Sequence, residues 1–311
     1  MKKAVLIVVM AMLAGAQPAN ASLDLAVNDV GISFGNSKRF TGLRFNFSDK
    51  DVDTINGLNL TFWKPTHNNR AVYNGMQLGL IGLNGREMNG IMLAGLGIST
   101  ESITGVGIGL IGMGVEEEFN GIGLALIGMG GGDFRGAFVG GIGLGAESLH
   151  GFGFGLIGIG ASEFRGIGFG GIGLGGDDIK GLVIGGVGVG GDDITGVGFG
   201  GIGVGGDKLK GIFAGLIGVG GDDLRGGFLG FAGVGGNELH GIALGGLISR
   251  FHYAEGATTG AYNNVVSEMR GVQIGLFNRT DHLEGIQIGI LNYVGSNPKW
   301  ARLLPIVNMH F

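Results

Sequence analysis

Histidines and a regular series of carboxylates are the side chains of this sequence that could do acid–base or metal chemistry. The histidines occupy six positions without metal-ligand spacing: His67, His150, His240, His252, His282 and His310. No set of serine, histidine and acid and no paired-carboxylate cleft can be singled out. The sequence therefore predicts no catalytic residues, no metal ligands and no enzyme activity.

Glycine-rich strings are the second feature that could bind a ligand, because glycine loops cradle phosphates. Gly171, Gly173 and Gly176 have the GxGxxG spacing of dinucleotide-binding loops. That motif works between a strand and a helix, and the surrounding sequence does not form such a unit. Because the repetition of the chain generates the same spacing many times, we predict no cofactor and no small-molecule substrate.

The carboxylates recur in pairs, and regular acidic rows are typical of calcium sites. Asp177 and Asp178 are followed fifteen residues later by Asp192 and Asp193. The stretch GGIGLGGDD has a superficial similarity to the calcium-binding nonapeptide of β-rolls, but that motif requires Asp where this chain has Gly175. We therefore predict solvated acids, and we keep a calcium-dependent β-roll adhesin as an alternative.

Composition limits the function classes further. The 311 residues include 74 glycines, four prolines and no cysteine, and 44% of them are hydrophobic, which is enough to bury a core. Without cysteine, stability has to come from packing and backbone hydrogen bonds. The formal net charge is −5 and no basic block stands out, so nucleic acid is not an expected partner.

The N-terminus predicts export. Lys2 and Lys3 precede an apolar stretch, and the small residues Ala19-Asn20-Ala21 fit a cleavage site. We predict a secretory signal peptide over residues 1–21 and a mature chain that begins at Ser22. The expected location is the cell surface or the outer membrane, with the periplasm as a further exported location.

The rest of the chain is organised by an internal repeat of glycine. With one inserted residue before Gly121 and one shortened step before Gly285, the spacing is fifteen residues throughout. The recurring positions are Gly75, Gly90, Gly105, Gly121, Gly136, Gly151, Gly166, Gly181, Gly196, Gly211, Gly226, Gly241, Gly256, Gly271 and Gly285. We divide the chain into an N-terminal β cap (22–74), a repeat array (75–292) and a C-terminal cap strand (293–311).

One copy, residues 166–180, consists of the pentads GIGFG, GIGLG and GDDIK. We expect the second and fourth places of the first two pentads to point inward, so that Ile167, Phe169, Ile172 and Leu174 share one interior. The fourth place of the third pentad is apolar in every copy from Met88 to Leu239, which a solvent-exposed turn would not require. The pattern predicts an all-β fold, a glycine-rich β-solenoid of fifteen-residue coils with β caps at both ends.

A second fold remains open at this point, an up-and-down outer-membrane β-barrel. The alternating residues that lead to Phe311 are similar to a barrel's terminal strand, and the apolar pattern is mirror-symmetric about Asp178, as in a hairpin. In that fold the protein would be an integral pore or scaffold.

The segment SRFHYAEGATTGAYNN (249–264) departs most from the glycine pattern while keeping its register. Irregular polar and aromatic segments on a regular scaffold often carry contacts. The candidate contact patch consists of Arg250, Phe251, His252, Tyr253, Glu255 and Tyr262.

Three stretches carry a recognisable signature, NGMQLGLIGLN (74–84), GVQIGLFN (271–278) and GIQIGILN (285–292). Together with the ending LLPIVNMHF (303–311), they resemble a family of bacterial surface-repeat proteins built from GxQxGLxN-type units. In the middle of the array glycine replaces the Gln and Asn of that unit. The resemblance implies an exported, surface-associated repeat protein without catalytic residues, whose partner is a component of the cell envelope or surface, the outer membrane included.

Overall fold

The computed structural model describes residues 22–311, and every regular element within them is a β-strand. The signal peptide predicted over residues 1–21 lies outside the described residues. The chain forms two compact units, of which the first ends at Glu147 and the second comprises Ser148–Phe311. The predicted all-β class is confirmed.

The first unit starts with short strands and continues with longer ones. Its strands are β1 (Ser22–Val27), β2 (Val30–Gly35), β3 (Arg39–Asn46), β4 (Thr54–Thr61), β5 (Val72–Gly79), β6 (Gly82–Ala94), β7 (Gly97–Gly109), β8 (Gly112–Ala125) and β9 (Gly128–Gly140). Strand β1 is antiparallel to β2, and from β2 to β9 each strand is parallel to the next. Parallel stacking therefore extends back into the residues that precede Gly75.

The second unit begins within β10 (Gly143–Gly155), which contains the boundary between the units. Its strands are β11 (Gly158–Gly170), β12 (Gly173–Gly185), β13 (Gly188–Gly200), β14 (Gly203–Gly215), β15 (Gly218–Gly230), β16 (Gly233–Gly245), β17 (Ile248–Val294) and β18 (Leu303–His310). Strands β11 to β17 are parallel to their neighbours. Strand β18 runs antiparallel along the end of β17, so it covers the last coil.

The register of the strands confirms the repeat. Ile179 pairs with Ile194, one period of the sequence away, so each coil hydrogen-bonds to the next coil. Between β7 and β8 the register shifts at Val115, where a bulge absorbs the inserted residue. An up-and-down barrel would require antiparallel neighbours along the array. The β-solenoid is therefore correct, and the barrel alternative is wrong.

Each coil can be numbered from its recurring glycine, so that Gly166 is the first place and Lys180 the fifteenth. The fourteenth place, predicted to face inward, is buried in coil after coil, at Met88, Ile103, Phe119, Phe134, Leu149, Phe164, Ile179, Ile194, Leu209, Leu224 and Leu239. The ninth place, such as Leu174, is buried as well. These two places form the continuous apolar core, and the third place adds to it in the coils where it carries a side chain, such as Val183 and Phe213.

The prediction for the first pentad and for the seventh place was wrong. Ile167 and Ile172 are 44% and 53% exposed, whereas Gly168 and Gly170 point inward and are buried. A Cβ on Gly168 would lie 2.4 Å from Leu174 Cδ1 and 2.8 Å from Phe164 Cζ. Side chains at the ninth and fourteenth places therefore fill the interior beside Gly168, and in this coil the side chains at the second and fourth places face outward.

The glycine at the first place of each coil is required by backbone geometry. Gly181 has φ +136°, and a Cβ there would lie 2.0 Å from the carbonyl oxygen of Gly166 in the preceding coil. The equivalent glycines have the same left-handed sign of φ along the array. Both the torsion and the close approach exclude a side chain, which explains why the repeat is marked by this residue.

We expect the change Gly181→Ala to lower the free energy of unfolding by about 1–3 kcal/mol from backbone strain, with a further cost for the displaced carbonyl. Gly160 is the matched control, because a Cβ there would meet nothing within 4 Å. Gly160→Ala should be neutral or stabilising by up to about 1 kcal/mol, since it restricts the unfolded chain. Urea unfolding measures both variants, and equal midpoints would contradict the backbone explanation.

Candidate interaction surfaces

The outward-facing side chains of the second unit form one apolar surface. We call it the apolar face: the second, fourth, sixth and seventh places of the coils that start at Gly151 to Gly285. None of these places carries a charged residue. The exposed large side chains on it are Phe152, Leu156, Ile157, Ile167, Ile172, Leu182, Val187, Val197, Phe199, Ile202, Ile212, Leu216, Ile217, Leu229, Phe231, Ile242, Leu244, Leu247, Tyr262, Ile274, Leu276, Phe277, Ile288 and Ile290.

The size of the apolar face sets it apart from ordinary surface. The second to seventh places comprise the end of one strand and the bend that follows it in most of these coils, and over ten stacked coils they correspond to roughly 20 by 45 Å, or about 900 Å². The largest apolar patch of a typical monomer covers about 300–600 Å². A face of this extent is therefore a candidate binding surface. The first unit exposes equivalent side chains, among them Ile91, Leu110, Ile111, Ile122 and Leu126.

In the coils that start at Gly151 to Gly226, the charged side chains occupy a different part of the coil, the twelfth to fifteenth places. Lys180 Nζ lies 2.6 Å from Asp178 Oδ2 within one coil, and Lys208 Nζ lies 3.2 Å from Asp193 Oδ1 of the preceding coil. The acidic and basic rows therefore compensate each other. Because these pairs are solvent-exposed, each contributes at most about 1 kcal/mol to stability.

The structure separates the residues of the predicted contact patch. Arg250, His252, Glu255 and Tyr262 are exposed and Tyr253 is half-buried, whereas Phe251 is only 1% exposed and belongs to the core. The inclusion of Phe251 was wrong, because its side chain points inward like the buried residues at the equivalent place of other coils. Tyr262 lies on the apolar face, while His252, Tyr253 and Glu255 lie on the charged side of the coil.

On the charged side of the coil, residues of the segment 249–264 contact side chains of the adjacent coils. The Tyr253 ring lies 5.9 Å from the His240 ring and 5.9 Å from the Arg270 guanidinium carbon. His240 Nδ1 lies 3.4 Å from Glu255 Oε2 in the following coil. These residues contact one another along the stack, whereas Tyr262 is part of the apolar face.

A buried polar network in the first unit was missed by the sequence analysis. Arg44 and Asp49 have fully buried side chains, with Arg44 Nη1 at 2.5 Å from Asp49 Oδ1. Arg44 also donates to Asn59 Oδ1 at 2.7 Å, and the Tyr73 hydroxyl donates to Asp49 Oδ2 at 2.8 Å. Hydropathy gives no signal for this site, since it places an arginine on the surface and Leu43, which is 42% exposed, in the core.

The network shifts the pKa values of Asp49 and Tyr73 in opposite directions. Burial by itself raises the pKa of Asp49, but the charge of Arg44 and hydrogen bonds from Asn46, Arg44 and Tyr73 outweigh burial, so the pKa of Asp49 is lowered. Burial and the neighbouring Asp49 charge raise the pKa of Tyr73 well above its usual value. Asp49 is therefore charged and Tyr73 neutral at physiological pH, which suits a fixed structural pair.

A second buried polar feature lies at the end of the array. The amide of Asn263 donates to Asn278 Oδ1 at 2.7 Å, and the amide of Asn278 donates to Asn292 Oδ1 at 2.7 Å. Gln287 donates to Gln273 Oε1 at 2.6 Å in the same coils. The Gln and Asn of the GxQxGLxN unit thus form ladders inside these coils. The recurring Gln and Asn of the GxQxGLxN stretches are the sequence feature from which these ladders could have been predicted.

Comparisons with known protein families, with curated proteins and with solved structures gave no match. Across the described residues, no helix is long and apolar enough to cross a membrane.

One group of side chains among residues 22–311 could offer metal ligands, at Asp223, Glu238 and His240, whose ligand atoms lie within 4.8 Å of one another. Arg225 Nη2 lies 2.8 Å from Asp223 Oδ2 and competes for that carboxylate. We therefore expect calcium to leave stability unchanged. Thermal unfolding with millimolar calcium and with a chelator tests this expectation, and a large calcium-dependent rise of the midpoint would revive the adhesin alternative.

Proposed function

We propose that this protein is an exported, non-catalytic repeat protein of a bacterial cell envelope, which acts by presenting a binding surface. The observation that carries the proposal is the separation of side chains on each coil. Apolar residues such as Ile167 and Ile172 face outward on one part, and charged residues such as Asp178 and Lys180 on another.

The energetics of exposure support a binding role. Fully burying one aliphatic side chain is worth about 1.5–3 kcal/mol, so a face with many of them exposed lowers the free energy when a partner covers it. The charged part of each coil gains little from its exposed pairs and suits contact with water. The protein then has a binding side and a solvated side, as a scaffold or attachment module requires.

The proposed location and partner come from the N-terminus and from the resemblance to surface-repeat proteins. An exported chain with such a face would attach to another component of the cell envelope or surface. The apolar face, with its many exposed aliphatic side chains, is the surface on which we expect this partner.

Export is tested by following the full chain in the bacterium that produces it. N-terminal sequencing of protein recovered from the cell envelope should begin at Ser22 or within a few residues of it. A variant with Lys2→Glu and Lys3→Glu is the control, because an acidic start impairs signal-peptide function and should keep the chain in the cytoplasm. Wild-type protein that is found in the cytoplasm with Met1 intact contradicts the proposal.

A further inference from the structure

We infer that a second copy of this chain covers the apolar face of the second unit, with Phe231 of each copy seated in a groove of the other. The inference rests on the proposed function in so far as it names the partner of the face. It commits to a two-fold dimer in which the same surface of both copies is buried.

The groove is a shallow depression in the apolar face that is widely open to solvent. It is lined by Thr259, Gly260 and Ala261, and along its length by Ile274 and Ile288. The sixth place is glycine in the coil that starts at Gly241 and alanine in the coil that starts at Gly256, whose fourth place is threonine, whereas the next coil carries isoleucine and leucine at these two places. The depression therefore follows from the small side chains of two adjacent coils.

The projection that fits the groove is Phe231. At 76% exposure it is the most exposed side chain of the apolar face. It occupies the sixth place of its coil, and Ala261 in the groove occupies the sixth place two coils later. Projection and groove therefore lie at the same lateral position and are separated by about 10 Å along the stack, from strand spacing.

This arrangement is self-complementary under one symmetry operation. A two-fold axis that lies between the faces and runs along the strands reverses the order of coils and keeps the lateral position. If the axis passes through the coil that starts at Gly241, Phe231 of each copy meets the groove beside Ala261 of the other. Both contacts form at once, which is the condition for a closed dimer. Leu244, in the axial coil, would then face Leu244 of the second copy.

Area and charge favour a second copy over a lipid surface. With the axis in the coil that starts at Gly241, the coils from Gly196 to Gly285 of the two copies overlap, which corresponds to roughly 20 by 30 Å, or about 600 Å² on each partner. The total of about 1,200 Å² falls within the range of about 1,200–2,000 Å² that specific protein interfaces bury. Surface-bound amphipathic segments carry Lys and Arg beside their apolar side, which attract anionic lipid. Here the charged rows are mixed in sign and the chain has a net charge of −5, so such attraction is missing.

The first test is sedimentation of the purified full-length mature protein over a range of micromolar concentrations. We expect a dimer, and we expect Phe231→Asp to raise its dissociation constant by at least about 100-fold, because a charge then enters the centre of the interface. Thr195→Asp is the matched control, since it adds the same charge at an exposed place on the charged side. Circular dichroism checks that both variants fold.

Cysteine cross-linking tests the symmetry of the dimer. Because the sequence contains no cysteine, any disulfide has to form between the introduced residues. Leu244→Cys alone should give a disulfide-linked dimer, because this position faces itself across the axis. Phe231→Cys and Ala261→Cys should each fail alone and cross-link when combined in one chain.

Three outcomes overturn the inference. A protein that is monomeric throughout, or a dimer that Phe231→Asp leaves intact, removes the second copy from this face. Flotation of the monomer with phosphatidylcholine and phosphatidylethanolamine vesicles would assign the face to lipid. None of these results bears on export, so the inference and the proposed function fail separately.

Discussion

Replacing Ile179 with Asp is expected to lower the free energy of unfolding of the second unit by more than about 4 kcal/mol, enough to unfold it under ordinary conditions. The Ile179 side chain is completely buried, and its register partners Phe164 and Ile194 are buried as well. A carboxylate there would lose its hydration without gaining a cation or a hydrogen-bond donor. The core is continuous along the stack, so the loss should spread to adjacent coils.

Thr195→Asp separates the effect of burial from the effect of added charge. Thr195 follows the buried Ile194 directly and is exposed, so its replacement should change stability by no more than about 0.5 kcal/mol. Urea unfolding followed by circular dichroism measures both variants. Similar losses in the two variants would mean that the fourteenth place is not a core position.

The sequence predicted the period and the fourteenth place for a physical reason. The fourteenth place is apolar in coil after coil although its neighbours are charged, as Asp178 and Lys180 are beside Ile179. An apolar side chain has no role among exposed charges, so this place is predicted to face the core. The glycine at the first place is equally informative, because Gly181 is fixed by its left-handed torsion and its contact with Gly166. Where one residue type satisfies a strict geometric condition, the sequence reveals that condition.

The orientation of the first pentad could not be predicted in the same way. An alternation of glycine and isoleucine fits a strand with either phase, and hydropathy selects the phase that buries Ile167. The interior volume decides otherwise, since Phe164 and Leu174 occupy the space beside Gly168. The apolar face and the groove beside Ala261 therefore could not be predicted from the sequence, because both depend on how the coils stack.

The buried pair in the first unit is the site that pattern reasoning was least able to find. Arg44 alternates with Leu43 and Phe45 in a strand, and a hydropathy pattern places the arginine outward. The surrounding Asn59 and Tyr73 come from later coils, so their convergence depends on the stacking register. The prediction that Phe251 lies on an exposed contact patch was wrong for the same reason, because the path of the coil decides whether its side chain points outward or into the core.

Replacing Arg44 with Met is expected to cost the first unit about 3–5 kcal/mol, because it leaves the Asp49 carboxylate buried without its cation. Arg39→Met is the matched control in the same unit. Its partner Asp53 lies 3.3 Å away in an exposed pair, so the loss should stay within about 1 kcal/mol. In a Trp300→Phe background the remaining tryptophan, Trp63, reports unfolding of the first unit by fluorescence.

The pH dependence gives the same pair a signature that a packing defect would not produce. The lowered pKa of Asp49 means that its contribution is present above the unfolded pKa, about 4, and is lost as pH falls through the folded pKa. Wild-type stability should therefore decrease below about pH 4. In the Arg44→Met variant, burial becomes the dominant influence on Asp49 and raises its pKa. The contribution of Asp49 to the free energy of unfolding is then present below the unfolded pKa and is lost as the pH rises through the folded pKa. That variant should be more stable at about pH 4 than at neutral pH, and a curve parallel to the wild type would rule out an electrostatic role for Arg44.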